Sequence, residues 1–574
     1  MADVDPITLE VVKNALASTA DEMALVVMRS AYSPVVRDTL DYSTALCDRN
    51  GRIVAQGLTL AVQLGTFPTV MRHVLEELGP SAQPGDVYIA NDPYGCGGQH
   101  LPDIYLIKPV FVDGALEGYA ATMAHHSDIG GIAPGSIAVH ATEIYQEGLR
   151  IPLSKLVDAG VEDATLLRLL EANTRQPTHV LGDLRAQLAA CRVGERGLTA
   201  LVERYGVDAH RYTDELQRVA ERTMRAELAA LPDGVRTFTD FIDGVGDDPV
   251  PVPIRVRVEI AGDEAFVDFE GTSPQVEASI NCPVGMVDAA CYCAFRGIAR
   301  AEIPNCEGYM APIHVYAPPG TVVNPVLPAA CGARGVIGYR VYDAVMGALA
   351  TLIPDRVIAA GEGGPTLVAL GGYDDDRRAF GTTEVLVGNW GARAERDGLE
   401  GVSNPLANLG NQPVELIEAD QPLRIERYGL VPDSGGAGRH RGGLAYVREY
   451  TVLAARATLT IRTDRRDHPP YGLDGGEPGA PSANVVVSGG EARELPTMPM
   501  AADILRQGDT FTHVSAGGGG FGDAFERDPA AVLADVVDGK VSVDAARERY
   551  GVVVVDGDVD AMATAETRRG RNAA

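Results

Sequence analysis

Asn91-Asp92-Pro93-Tyr94-Gly95-Cys96-Gly97-Gly98-Gln99-His100-Leu101-Pro102-Asp103 opens the stretch around which the chain is organised, and Ala124-His125-His126-Ser127-Asp128-Ile129-Gly130-Gly131 closes it. Between them lie two runs of strand character, Ile104 to Val112 and Leu116 to Met123, joined through Asp113-Gly114. An Asp-Gly pair between apolar runs predicts a two-residue hairpin loop, because both central turn residues need positive φ. Val112 then faces Ala115, and counting back sets Asp103 opposite Ala124. His100, Asp103, His125 and His126 are expected at the open end of this one hairpin. Imidazoles and a carboxylate converging there suit a divalent ion with nitrogen and oxygen ligands. The alternative is that these polar groups simply cap a sheet. Pro102 keeps His100-x-x-Asp103 off a helix, so the pair is read as a turn entering a strand.

The chain has 574 residues, enough for several domains. Its 49 basic against 79 acidic side chains give a net charge of −30, which disfavours nucleic acid and anionic membrane as partners. No basic start precedes an apolar segment and no apolar run reaches membrane length, so a cytoplasmic protein is expected. The 8 cysteines are scattered without a C-x-x-C pair and are read as reduced and buried.

Outward from the hairpin, Asp5-Pro6 caps a helix to about Ala31 with Leu9, Val12, Leu16, Met23 and Val27 on its apolar face. Tyr42–Cys47 and Arg52–Gln56 read as a second hairpin, with Asp41 at its outer end, equally a turn residue or a ligand on these grounds. Val87 to Ala90 is a strand delivering Asn91. Helical patterns fill 162–231, and alternating strands follow Pro232, so a boundary is expected there: a metal-site domain with a helical layer over 1–231, and a β-rich part with C-terminal helices over 232–574. The fold class is α+β and multidomain, with a mixed α/β metal-binding N-terminal part. Gly517 to Gly520 lacks the Lys-Ser or Lys-Thr of a phosphate loop and is read as packing. The tail from Thr567 is expected to fray.

Several motifs resemble the hydantoinase B/oxoprolinase family, which includes subunits of acetone and acetophenone carboxylases. They are Asp5-Pro6-Ile7-Thr8-Leu9-Glu10-Val11, Asn91 to Asp103, His125 to Gly131, Gly410-Asn411-Gln412-Pro413-Val414-Glu415, Pro432 to Gly438 and Arg441-Gly442-Gly443-Leu444. The resemblance spans nearly the whole chain. It implies a divalent metal (zinc or manganese, or iron) held by Asp41, His100, Asp103 and His125, and it favours His125 over His126 as the ligand. It also implies a separate A-type subunit, an actin-like ATPase that binds ATP, and hence a hetero-oligomer acting on a small cyclic amide.

The implied activity is ATP-dependent opening of a hydantoin, a lactam or 5-oxoproline. A ketone carboxylase subunit is the alternative. His126 and Asp128 are candidates for orienting water or moving its proton, or else for supporting the ligands. A non-haem iron oxygenase also uses two histidines and a carboxylate, but commonly with one residue between His and carboxylate rather than two. A scaffold that only stabilises its partner is a fourth reading, and the ligand set argues against it.

Overall fold

Asp113 and Gly114 have φ of 49° and 82°, the positive values a two-residue hairpin loop demands. They join β4 (Asp103–Val112) to β5 (Ala115–His125). The computed structural model describes residues 4–206, 208–362, 366–374 and 377–571. Around the hairpin, β1 (Tyr42–Asp48), β2 (Ile53–Gln56), β3 (Val87–Ala90), β6 (Ser154–Asp158) and β7 (Val161–Glu162) complete one seven-stranded sheet in the order β2-β1-β5-β4-β3-β6-β7.

Alternation along these strands separates two buried faces. Tyr105, Ile107, Tyr119, Ala121 and Met123 pack with Phe67, Val70 and Val74 of the helix Phe67–Glu77. The opposite face meets the helices Pro6–Ser30 and Pro177–Tyr205. Gly194 of the second helix comes so close that a Cβ there would lie 2.6 Å from Ala120 and 2.7 Å from Met23 Sδ. The predicted first helix ends one residue early, and Asp5 caps it through the amides of Ile7 and Thr8.

The hairpin register differs from the expected one. Val112 pairs with Ala115 as predicted, but Val110 pairs with Gly118 and leaves Glu117 opposite nothing, so Asp103 faces His125 and not Ala124. Such a β-bulge shifts every later pair by one residue. Glu117 is held out of the ladder by His210 Nε2 at 2.5 Å, from the helix Asp208–Ala229. Gly118 fits because no Cβ is present; one would stand 2.5 Å from the Cys47 carbonyl.

The chain divides into two compact units, as a multidomain α+β protein should, but not at residue 231. The first comprises 1–235, 256–342 and 405–410; the second comprises 236–255, 343–404 and 411–574. The chain after the helices returns to the first unit because its side chains pair there. Arg225 reaches Glu264 at 3.1 Å, and Gly308 sits against the Gln217 backbone. The expected strands are present as β8 (Gly234–Ile242), β9 (Val252–Ala261) and β10 (Glu264–Asp268), and β10 is joined in parallel by β11 (Ile313–Tyr316).

In the second unit, β12 (Thr366–Tyr373), β13 (Ala379–Leu386), β16 (Arg456–Arg462) and β19 (Asp503–Arg506) form one sheet. β14 (Leu423–Leu430), β15 (Tyr446–Val452), β17 (Ala483–Ser488), β18 (Glu491–Glu494) and β20 (Thr510–Val514) form another. Leu370, Leu459 and Ile461 of the first sheet share a buried core with Tyr450, Val486 and Phe511 of the second. Gly517 to Gly520 are packing residues: a Cβ on any of them would meet backbone atoms at 1.9 to 2.6 Å. The expected frayed tail is instead a helix, Ala561–Arg571, started by the Asp560 carboxylate on the amides of Met562 and Ala563; residues 572–574 lie outside the described ones. Seven of the cysteines are buried and Cys293 is half-buried, all as free thiols. Among the described residues no helix is long and apolar enough to cross a membrane.

Candidate metal centre

Directly paired residues of an antiparallel ladder project to the same face. The bulge therefore sends the side chains of Asp103 and His125 out together, on the face that carries Tyr105 and Met123. His100 joins them from the turn before β4, where the Asp103 amide donates to the His100 carbonyl at 3.1 Å and the His126 amide to the Pro102 carbonyl at 2.8 Å. Asn91 fixes that turn: its Nδ2 donates to the carbonyls of Leu101 and Leu149, and its Oδ1 accepts from the Ile151 amide.

Among the described residues, His100, Asp103 and His125 form a cluster whose ligand atoms all lie within 4.8 Å of one another. The two rings are 5.0 Å apart between centroids. His100 Nδ1 contacts the Gly332 carbonyl at 3.0 Å; a carbonyl only accepts, so that nitrogen carries the proton and Nε2 is left as a bare lone pair. This lone pair faces Asp103 Oδ1 at 3.2 Å. His100 Nε2, Asp103 Oδ1 and His125 Nδ1 are all buried without a hydrogen-bond partner.

A carboxylate oxygen, a bare imidazole lone pair and a second unpartnered ring nitrogen, all left unsatisfied in one cluster, fit a cation between them. The 3.2 Å between His100 Nε2 and Asp103 Oδ1 is near the roughly 3.3 Å between donors of a tetrahedral ion with 2.0–2.1 Å bonds. Protonation agrees. Burial, helped by Arg334, lowers His100 to about 4, and burial with His100 beside it lowers His125 to about 3, so both are neutral near pH 7. Burial pushes Asp103 upward, but Arg334 and His100 outweigh it and the carboxyl is held below its usual range.

Asp41 lies beside this group rather than within it. Its carbonyl accepts the His125 amide at 3.0 Å, continuing the β1–β5 ladder, while its buried carboxylate takes a hydrogen bond from Gln63 Nε2 at 2.5 Å. The preceding Leu40 has φ of 64°, a conformation costly for a branched side chain that turns Asp41 toward the sheet. His126 points to the other face, where Nε2 meets Gln187 Oε1 at 3.0 Å. Asp128 accepts from the amides of Gly130, Gly135 and Arg175 and from Arg175 Nη1. Neither His126 nor Asp128 belongs to the cluster.

Two supporting residues escaped sequence reasoning. Arg334 gives Nη2 to Asp103 Oδ2 at 2.5 Å and to Gln99 Oε1 at 2.8 Å. Glu147, pushed up to about 7 by burial, accepts the amides of Cys331 and Gly332 at 3.0 and 2.6 Å. The segment Cys331–Arg334 thus orients both His100 and Asp103, and Glu147 clamps it. An arginine inside the apolar run from Pro328 to Ile337 was the available signal for Arg334.

An α+β chain of two units, with His-x-x-Asp and a second histidine brought together at the open end of one hairpin, defines a class of protein built around a buried cluster of metal-ligand type. A model of the hydantoinase B/oxoprolinase family matches residues 5–524, and the chain belongs to that family. It is 35% identical to the B-type subunit of a putative D-/L-hydantoinase from Pseudomonas sp. (strain NS671), across 99% of this chain and 98% of that one. The crystal structure of ATP-dependent caprolactamase from Pseudomonas jessenii matches with a TM-score of 0.91 at 34% identity, covering 99% and 100% of the two chains. A nucleotide-free acetone carboxylase structure also gives a TM-score of 0.91, covering 99% of this chain and 83% of that one, at 20% identity. That likeness speaks for the fold alone.

Proposed function

We propose that this chain is the metal-binding subunit of an ATP-dependent cyclic-amide hydrolase, opening a hydantoin, lactam or 5-oxoproline ring with an ATP-binding A-type partner. The observation carrying this reading is the set of three unsatisfied ligand atoms, on a chain about one third identical over its full length to a hydantoinase subunit and a caprolactamase. His100 Nε2, Asp103 Oδ1 and His125 Nδ1 would hold zinc, manganese or iron, and Asp41 would exchange Gln63 for the ion as a fourth ligand. A divalent ion supplies Lewis acidity and lowers the pKa of water. The chain itself keeps both imidazoles neutral, fixes the His100 tautomer through Gly332 and shields the site from bulk water. His126 and Asp128 are assigned to holding the segment behind His125.

An amide is a poor electrophile, which gives the partner its role. Phosphoryl transfer from ATP to the amide oxygen releases ADP and the amide proton. Water then adds to the ring carbon, the C–N bond breaks with the nitrogen leaving as an amine, and an acyl phosphate remains. A second water cleaves this to carboxylate and inorganic phosphate. The test assays this chain, the partner and their mixture for ATP hydrolysis and ring opening of hydantoin, 5-oxoproline and caprolactam. Turnover is expected only in the mixture and is lost in His125→Ala. Ring opening by this chain alone without ATP overturns the reading, and bicarbonate-dependent ATP turnover moves it to the carboxylase branch.

A further inference from the structure

We propose that Arg334 is an oxyanion-binding residue, which together with the ion of the His100–Asp103–His125 cluster receives the phosphoryl group of the activated substrate. This deepens the function proposed above and rests on it. An arginine has five N–H donors in a planar fork. Gln99 Oε1 takes Nε and one N–H of Nη2, at 3.3 and 2.8 Å, and Asp103 Oδ2 takes the other N–H of Nη2 at 2.5 Å. Because Gln99 sits across the Nε–Nη2 edge, the Asp103 bond lies on the edge shared by Nη2 and Nη1. Nη1 therefore points along the side of the guanidinium that faces the cluster. It has no partner among the described residues, and it is not sealed in, since the side chain is 10% exposed. Two charged N–H donors are thus left unused beside the ligand atoms.

Charge favours an anion there. An imidazole that holds an ion is neutral, so Asp103 is the one charged ligand of the three, and Arg334 already balances it. A divalent ion leaves the group at +2, or +1 once Asp41 joins. The helix Gly335–Leu349 begins at the next residue, so its positive end adds to the same field. The several oxygens of a tetrahedral phosphate are acceptors that a guanidinium edge and a hard cation can bind together. A phosphoryl group held this way is drawn toward the ion and leaves the site as phosphate.

The test uses the full-length chain loaded with Mn2+ and inorganic phosphate as the probe, with no substrate and no partner. Failure of ring opening thus leaves the result readable, and the reverse holds too. Saturable phosphate binding with paramagnetic broadening of the 31P signal is expected for the parent protein. Arg334→Lys keeps a cation on Asp103 but loses the second donor edge, so Mn2+ affinity should stay within about threefold while phosphate affinity falls about tenfold or more. Unchanged phosphate affinity in Arg334→Lys, or no saturable binding by the parent, overturns the proposal. So does loss of Mn2+ in both Arg334→Lys and Arg334→Gln, which would show that the arginine acts only by holding Asp103.

Discussion

Asp103 and His125 are direct partners across the β4–β5 ladder, and they are partners because Glu117 stands unpaired at a bulge eight residues before His125. A regular ladder through all of these residues would set Asp103 against Ala124, with His125 leaving the sheet on the opposite side. Deleting Glu117 removes only the unpaired residue and leaves every other pair in place, so that variant should keep its metal. Inserting one alanine after Gly118 moves Asp103 onto Ala124 and should abolish metal binding. Glu117→Gln, which preserves the bulge and loses only the charge facing His210, should bind metal normally at a cost of about 1 kcal/mol or less. Metal content by elemental analysis, with folding followed by circular dichroism, separates these variants. A folded insertion variant with full metal would show that the register of this hairpin does not set the site.

The three orphaned ligand atoms predict about one divalent ion per chain. His100→Ala removes one of the three clustered ligands and should lose most of the bound metal. Asp41→Asn should lose less, because Asp41 reaches the site only by leaving Gln63. Elemental analysis of the two variants gives the ranking. Equal retention by His100→Ala and the parent protein would sink the assignment.

The hairpin was legible because Asp-Gly demands positive φ at both turn residues, a local requirement printed in two letters. The bulge was not, since a single unpaired Glu117 leaves no mark in the pattern of apolar residues. His100, Asp103 and His125 were readable as a set because one hairpin collects them. Arg334 and Glu147 reach the cluster from 231 and 47 residues along the chain beyond Asp103 and His100, and no local pattern encodes such a meeting. The preference for His125 over His126 came from family resemblance, and its physical basis is the face that each occupies. The split at residue 231 followed a real change from helix to strand. It failed as a boundary because secondary-structure composition does not tell which core a strand joins.

Glycines of the second unit should be intolerant where backbones touch. A Cβ at Gly442 would lie 1.9 Å from the Gly518 carbonyl, and one at Gly517 equally close to the Ser434 carbonyl. Backbone cannot move aside as a flexible side chain can, so Gly442→Ala and Gly517→Ala should each cost about 3 kcal/mol or more. Gly429→Ala, where nothing lies within 4 Å, serves as the control and should be close to neutral. Denaturant unfolding of the second unit's transition reads all three. A stable Gly442→Ala protein would show that these segments are looser than the contacts imply.

Glu147 makes the pH prediction. Its folded value is raised to about 7 from an ordinary 4.5 because burial disfavours the carboxylate, partly opposed by the amides of Gly332 and Cys331. A carboxyl raised on folding contributes stability that is fully present below its unfolded value, and that stability is lost as pH rises through the folded one. The window is therefore about pH 4.5 to 7. Within it, the depressed histidines His100 and His125 act oppositely: they are neutral when folded and charged when unfolded below about 6.5, so their contribution falls as the solution is acidified. Glu147→Gln removes the first effect and leaves the second, while its amide oxygen still accepts the Gly332 amide. The stability of this variant relative to the parent should improve steadily between pH 5 and pH 7.5 in metal-free buffer. Glu147→Ala leaves two buried amides unsatisfied and should be less stable at every pH, by about 1–3 kcal/mol, with metal affinity reduced about 10–100-fold through the loosened Gly332–His100 contact. Chemical denaturation at the two pH values, with metal titration of both variants at pH 7.5, decides the matter. A stability difference between Glu147→Gln and the parent that does not vary with pH would mean that Glu147 remains ionised in its buried site.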